Sequence, residues 1–359
     1  MKRWILIMAA VIILSGCKEN GNFVPGGHEE NPSNHWVSVE ELGHGSPVFT
    51  NLPIDLNNVD FIFPLGHLNP PGHVLPTDHA YFVLADSGFN KPVIAPGDGI
   101  ILEIGFKRVN TPGQNEDYDI FIAYTNNVRG MFGHLSSISH LIRARVGELI
   151  EGCNPVHIRV SAGDTLGFTA KVNGTSAALD FGIFNSDSTL PFRHPEWVGD
   201  LDYLHTVCPF KFFTDSLKEL IYSKVRRTGN PRCGKVFYDR YGKLVGAWFY
   251  SKNPGNWHEQ LSFVYDVVDP NSIRIGLGEG FRIPSFSYAV YGNSPNPAYI
   301  TPDSGMVVYH VYTSPGIGVE LHQYTIIVKM LDDYTIKVDA FEGIQNDPHF
   351  TNQARIFRR

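Results

Sequence analysis

Four short phrases decide the fold of this chain: KPVIAPGDGII (91–101), MFGHLSSI (131–138), VSAGDTLG (160–167) and ALDFGI (178–183). Each phrase is a run of β-branched or apolar residues closed by Gly, Pro or Asp. This pattern is typical of short strands joined by tight turns. The 35 glycines, 24 prolines and 13% aromatic residues also favour many strands over long helices. The chain is therefore predicted to be mostly β.

In their order and spacing, these phrases resemble the LytM or lysostaphin-type zinc metallopeptidase domain, over about residues 60–186. That domain has a "PVxAPxDGxV" strand pair, a "YxHLSxI" strand, a "VxxGxxIG" turn and a closing "HLHFE" strand. The resemblance implies an antiparallel β domain, a bound zinc ion and cleavage of peptide cross-links in the bacterial cell wall. Because degenerate members of the family bind or regulate instead of cutting, it implies that alternative as well.

The resemblance assigns candidate site residues position by position. His134 matches the histidine of the "HLS" strand, which assists the reaction. Asp180 stands where the closing phrase supplies the third zinc ligand, and Ala178 stands where it supplies a catalytic histidine. Aspartate is a legitimate zinc ligand, whereas alanine cannot perform the role of an imidazole. The motif is therefore altered at its catalytic end.

The first two ligands of the family are a His and an Asp, four residues apart, just before the first strand pair. Here the matching region offers His73, Asp78 and His79 as candidate ligands. Since adjacent side chains on a strand point to opposite faces, Asp78 and His79 share one metal only if the loop twists. A hydrolytic zinc needs about three protein ligands and one open position.

The set His73, His79 and Asp180 satisfies this requirement, and His134 is then a further ligand or the assisting residue. The alternative is that Asp180 pairs with His79 or His134 and that no metal binds. A buried aspartate in an apolar strand needs a cationic or hydrogen-bonding partner in either case.

Residues 1–16 are predicted to be an export signal, because Lys2 and Arg3 precede an apolar stretch too short to span a membrane. The next residues, LSGC (14–17), resemble the bacterial lipobox, in which cleavage precedes a cysteine that then receives lipid. The alternative is an ordinary secretory signal with an incidental cysteine. Lipid on Cys17 would anchor the protein to a membrane without spanning it. The expected location is the bacterial cell envelope, on the periplasmic or surface face of the outer membrane.

The rest of the chain divides into three predicted parts. Residues 17–55 are rich in Gly, Asn, Glu, Pro and Ser, and they are predicted to be a flexible tether. Residues 56–227 form the LytM-like domain, which ends in a short linking helix predicted over 217–227. Residues 228–359 contain apolar runs at about ten-residue spacing, which predicts a second antiparallel β domain, a barrel or a sandwich.

The cysteines and the charge limit the partners. An exported protein can hold a disulfide, and three cysteines after Cys17 leave one thiol over. Cys153 and Cys208 flank the end of the first domain and are the predicted pair, which leaves Cys233. The formal net charge of −7 provides no basic surface for nucleic acid.

Three functional hypotheses follow. The leading one is an envelope lipoprotein whose peptidase-like domain binds or regulates at the cell wall, with peptidoglycan or a peptide as ligand. The second is an active zinc-dependent endopeptidase with the altered ligand set. The third is a structural envelope protein that acts through its C-terminal β domain.

Overall fold

A computed structural model of the chain describes residues 35–85, 90–111, 114–172, 176–292, 294–313 and 321–359. The predicted export signal and Cys17 lie outside these residues. Within the described ranges, no helix combines the length and the hydrophobicity that crossing a lipid bilayer requires.

The first half of the described chain forms an antiparallel sheet of ten strands. They run in the order β1-β2-β9-β8-β6-β5-β4-β7, with β3 paired to β8 and β10 paired to β9. The strands are β1 (Val59–Phe63), β2 (Ala80–Leu84), β3 (Pro92–Ile94), β4 (Gly99–Thr111), β5 (Gln114–Ala123), β6 (Val128–Ile138), β7 (Gly152–Val160), β8 (Thr165–Val172), β9 (Ser176–Asn185) and β10 (Thr206–Val207).

The second half forms a closed antiparallel barrel of eight strands in sequence order. The prediction of a mostly β chain with a second antiparallel β domain is confirmed, and that domain is a barrel. Its strands are β11 (Gly246–Tyr250), β12 (Leu261–Tyr265), β13 (Ile273–Leu277), β14 (Phe286–Val290), β15 (Met306–Thr313), β16 (Gln323–Asp332), β17 (Thr335–Glu342) and β18 (Arg355–Arg358).

The helices of the described residues are short. The predicted linking helix is present as α4, and it ends at Lys224 because Val225 is extended and forms a β-bridge with Ile62. The α-helices are α1 (His140–Arg143), α2 (Pro195–Val198), α3 (Leu201–Leu204) and α4 (Asp215–Lys224). The 3-10 helices cover Glu40–Leu42, Leu56–Asn58, Pro209–Phe212, Trp257–Glu259 and Pro302–Ser304.

Three of the apolar clusters define the interior. One covers a single face of the sheet, where Phe132, Leu179 and Phe181 are fully buried. A second fills the barrel around Trp248. The third joins the two halves, where Leu75 packs in one cluster with loop and helix residues of the first half and with Ala247 and Phe249 of the barrel. Burial of this apolar surface fixes the barrel against the loop that precedes β2.

The prediction of a flexible tether over residues 17–55 is wrong from His35 onward. His35 is 4% exposed, its ring stacks on Phe121 at 4.4 Å between centroids, and Nε2 lies 2.8 Å from Asp202 Oδ1. The Arg129 guanidinium donates from Nε to the His35 carbonyl at 2.7 Å and from Nη2 to the Val37 carbonyl at 2.7 Å. Residues of this segment form contacts with residues far away in the chain. Composition alone does not predict such contacts.

The predicted disulfide is also wrong. Cys208 is bonded to Cys233, and Cys153 is a free thiol. Cys153 lies on β7 and packs near Phe121, on a different part of the sheet. The observed disulfide instead joins the two ends of the segment that contains α4 and leads into the barrel.

The strands differ locally from what the sequence predicts. The stretch 143–158, an insertion whose structure the sequence leaves open, contains β7, which pairs with β4 along Gly99–Phe106. Residues 235–238, predicted to be a strand, have no regular strand structure. Strands β14 and β18 were not predicted.

Candidate functional site

The candidate site lies on the polar face of the sheet, which is the side opposite the first apolar cluster. Leu179 and Phe181 point into that cluster, so Asp180 between them points to the polar face. Asp180 is paired across the strands with Tyr81 of β2 and with Gly133 of β6. The predicted ligand therefore sits in the centre of the sheet, between two other elements that carry candidate residues.

An irregularity in β6 turns His134 toward Asp180. Phe132 and Leu135 both belong to the apolar cluster, although residues three apart in a regular strand face opposite sides. The register between β5 and β6 shifts opposite this point, and His134 has a φ of 61°. A positive φ is uncommon for a residue with a side chain. Here it marks a bulge that aims the imidazole at the polar face.

Five side chains form a continuous row of alternating carboxylates and imidazoles, which we call the His/Asp ladder. Asp78 Oδ1 is 2.7 Å from His79 Nδ1, and His79 Nε2 is 3.3 Å from Asp180 Oδ2. The same Asp180 oxygen is 3.4 Å from His134 Nε2, and His134 Nδ1 is 3.4 Å from Asp117 Oδ2. The prediction that Asp180 pairs with His79 or His134 is correct for both histidines.

Asp78 and His79 are adjacent in sequence, and their side chains contact each other. Both residues lie in bends just before β2 begins at Ala80, so strict strand alternation does not apply to them. Their side chains touch instead of diverging, with Asp78 on the far side of His79 from Asp180. Asp78 therefore supports His79 and does not share a common centre with Asp180.

His73, the other candidate from this loop, contacts the ladder at His79. The two imidazole rings are 5.2 Å apart between centroids and nearly perpendicular, at 71°. His73 is 6% exposed. The structure thus brings together the four side chains that the sequence singled out, His73, His79, His134 and Asp180.

Sequence reasoning missed two carboxylates on β5, Asp117 and Asp119. They are two residues apart and face the same side of the strand. The carboxylate of Asp117 pairs with His134, and Asp119 Oδ1 lies 3.2 Å from the position that a Cβ at Gly133 would take. The signal in the sequence was the pair of aspartates two residues apart in DYD (117–119), but only the β5–β6 register shows that they lie beside His134.

The charged groups of the site change one another's pKa. Burial disfavours the charged form of His134, but the carboxylates of Asp180 and Asp117 outweigh it and raise the pKa of His134 to about 10. Burial, with the nearby carboxylate of Asp117, raises the pKa of Asp119 to about 7. At neutral pH the imidazole of His134 is therefore a cation held between carboxylates.

The ladder is closed at one end and accessible at the other. His79 and Asp180 are each 1% exposed, whereas the side chains of His134 and Asp117 are 10% and 17% exposed. Two carboxylate oxygens, Asp117 Oδ1 and Asp180 Oδ1, are buried and accept no hydrogen bond from any described residue. A buried acceptor without a donor is costly, so these two oxygens mark where a ligand would supply donors.

The side chains of the ladder include the candidate zinc ligands His79, His134 and Asp180. Among the described residues, no group of three or more His, Cys, Asp or Glu side chains is arranged to hold a metal ion. Every ring nitrogen of His79 and His134 faces a carboxylate within 3.4 Å. A histidine binds a metal only through an unprotonated nitrogen, so a zinc ion here would first have to displace the proton of His134. The described side chains are therefore arranged as ion pairs and not as a ready-made zinc site.

The position of Ala178 shows what the altered motif lacks. Ala178 pairs with Val83 on one side and with Ala170 on the other. It lies two residues before Asp180 on the same strand, and so on the same face of the sheet. No imidazole stands there to share the proton-transfer work with His134.

No protein-family model and no curated protein matches this sequence. Among solved structures, the chain is similar to the catalytic domain, in a mutant form, of the prophage-encoded M23 protein EnpA from Enterococcus faecalis. The sequence identity is 17%, the match covers 31% of this chain and 69% of that chain, and the TM-score is 0.21.

Proposed function

We propose that this protein is a cell-envelope lipoprotein whose LytM-like domain binds a peptide ligand of the cell wall without cutting it. The observation that carries the proposal is the pair of buried carboxylate oxygens without donors, Asp117 Oδ1 and Asp180 Oδ1. They lie on either side of His134, Asp117 at the accessible end of the ladder and Asp180 toward its closed end. A ligand with N–H donors would satisfy both of them.

Binding without cleavage is supported by the protonation of His134. A general base must be unprotonated near neutral pH and within reach of the proton it removes. The pKa of His134 is raised to about 10, so the imidazole is charged and its proton is shared with carboxylates. Ala178 offers no second histidine. The residues that remain hold charge and hydrogen bonds, which suits recognition.

The chemistry of the ladder selects the class of ligand. Asp78, Asp117 and Asp180 supply three carboxylates, against the imidazoles of His79 and His134. A primary amine or a row of peptide N–H groups complements this excess of acceptors. Peptidoglycan peptides carry such groups, and they agree with the lipid anchor proposed at Cys17. The proposed location is the periplasmic or surface face of the outer membrane.

The test is calorimetric binding of a short peptide with a free amine, compared with the same peptide after N-acetylation. We expect the free amine to bind, and we expect acetylation or Asp117→Asn to weaken binding about tenfold or more, since a charge-assisted hydrogen bond is lost. Asp187→Asn is the matched control, because Asp187 also pairs with a histidine, His44, at 3.2 Å but is exposed. Equal binding by the wild type and Asp117→Asn would overturn the proposal.

A second candidate, an active zinc-dependent endopeptidase, is favoured by one observation. His79 Nε2 and His134 Nε2 lie 3.3 Å and 3.4 Å from the same oxygen of Asp180. Donor atoms around a tetrahedral zinc ion are about 3.3 Å apart when the bonds are about 2.0–2.1 Å long. Elemental analysis of protein purified without a histidine tag decides between the candidates. Stoichiometric zinc that disappears in His79→Ala, together with cleavage of cross-linked peptidoglycan, would favour the endopeptidase.

A further inference from the structure

The loop that carries His73 lies outside the strands and helices and is closed by a few backbone hydrogen bonds of its own. Residues 64–79 contain no strand or helix, and the prolines 64, 70, 71 and 76 limit the backbone N–H groups that it can offer. Its internal hydrogen bonds include the pair between Asn69 and His73, each N–H donating to the other carbonyl at 2.9 Å. A loop of this kind takes its position from what it packs against.

Three side chains of the barrel bind the carbonyl groups on either side of His73. Trp257 Nε1 donates to the Gly72 carbonyl at 2.9 Å, and Ser262 Oγ donates to the Val74 carbonyl at 2.7 Å. His258 Nδ1 lies 3.1 Å from the Pro71 carbonyl. Because a carbonyl only accepts, this contact requires the proton of His258 on Nδ1.

The backbone of the barrel also approaches the loop closely. A Cβ added at Gly276 on β13 would lie 2.3 Å from the Val74 carbonyl oxygen and 2.5 Å from Ser262 Oγ. Gly276 is paired with Ser262 across β12 and β13. Only a residue without a side chain allows this contact. The next residue of the loop, Leu75, is fully buried in the cluster between sheet and barrel.

The contacts of the barrel with this loop lead, through His73, to the His/Asp ladder. His73 lies between Gly72 and Val74, both held by the barrel, and its ring packs on His79 at 5.2 Å. His79 is in turn held between Asp78 and Asp180. The path from the barrel to the site is therefore a short series of direct contacts.

We propose that the C-terminal barrel is a positioning element of the candidate site, with Trp257, His258 and Ser262 as its positioning residues. They hold the His73 loop against His79 and so fix the closed end of the ladder. The barrel is then part of the site and does not act as a separate binding module. The inference extends the proposed function by giving the second β domain a role in it, and it rests on the ladder being the functional site.

The test uses the full chain labelled with ¹⁵N-histidine and follows the imidazole signals by NMR. Trp257→Phe keeps an aromatic ring and removes the indole N–H donor, and Ser262→Ala removes one hydroxyl. We expect each variant to shift the signals of His73 and His79. The controls are Trp248→Phe and Ser285→Ala, which delete donors to carbonyls at 2.8 Å inside the barrel.

The controls are expected to leave both histidine signals in place, even where they lower the melting temperature as much as the test variants do. The inference is overturned if Trp257→Phe and Ser262→Ala leave the signals unchanged, or if the controls shift them equally. Since no ligand is present, this result is separate from the peptide-binding test. Failure of peptide binding with shifted signals would reject the proposed function alone.

Discussion

Replacing His35 by glutamine is expected to destabilise the fold at about pH 6 and to have much less effect at about pH 10. His35 Nε2 lies 2.8 Å from Asp202 and Nδ1 lies 3.5 Å from Glu103, both buried. Burial disfavours the imidazolium, but Asp202 and Glu103 outweigh it and raise the pKa of His35 to about 9, from an ordinary value of 6.5. Glutamine keeps a hydrogen-bonding group and removes the charge.

The sign of the effect follows from the direction of the pKa change. A histidine whose pKa is raised by folding binds its proton more tightly in the native state. The resulting stabilisation is fully present below pH 6.5, the unfolded value, and is lost as the pH rises through about 9. A pKa difference of this size corresponds to about 3 kcal/mol in the free energy of unfolding.

The assay is urea denaturation of the wild type and His35→Gln at both pH values. We expect a difference in unfolding free energy of about 3 kcal/mol at the lower pH and less than about 1 kcal/mol at the higher pH. His44→Gln is the control, because His44 also lies in the N-terminal segment and pairs with an aspartate at 3.2 Å, but its side chain is 64% exposed. Exposed pairs contribute little. A loss for His35→Gln that is the same at both pH values would refute the reasoning.

Three further predictions concern the ladder and the disulfide. Asp180→Asn should lower the free energy of unfolding by about 3–5 kcal/mol in urea denaturation, since it removes one partner of a buried ion pair. Asp180→Asn and His134→Gln remove the two partners of one contact, at 3.4 Å, so the double variant should be less destabilised than the sum of the single variants; a double-mutant cycle without coupling would contradict this. Replacing Cys208 and Cys233 by serine should cost about 3 kcal/mol, because the disulfide closes a loop with a sequence separation of 25. The same measurement on Cys153→Ser should show less than about 1 kcal/mol.

The strands that could be predicted from the sequence are those with an apolar pattern in their own residues. The phrases that contain Asp180 and His134 lie in strands, and most of the C-terminal strands follow the predicted apolar runs. Strand β18 (Arg355–Arg358) escaped prediction because arginines occupy three of the nearby positions, and Arg355 and Arg359 are buried only once β11 and β17 close the barrel. Closure of the barrel depends on all eight strands, so no local sequence pattern predicts it.

The site was predicted as far as residue type allowed. A buried Asp180 with histidines as partners follows from the cost of an unpaired charge. The role of Asp117 cannot be predicted in this way, because it depends on the register between β5 and β6 and on the bulge at His134. His35 was assigned to a tether because its burial depends on Arg129 and Asp202, which lie 94 and 167 residues away.

The charges of the ladder are the basis of the proposal that this domain binds without cutting. His79 stands before β2 and Asp180 stands in β9, and the two side chains are 3.3 Å apart. A carboxylate in the closing strand adds negative charge beside His134, and that charge raises the pKa of His134 to about 10. A protonated imidazole cannot accept a further proton, and a metal ion would have to displace the proton that it holds. Because Asp180 supplies the counter-charge to His134, the two side chains attract each other directly, and the acceptors left at Asp117 and Asp180 are proposed to receive donors from a ligand.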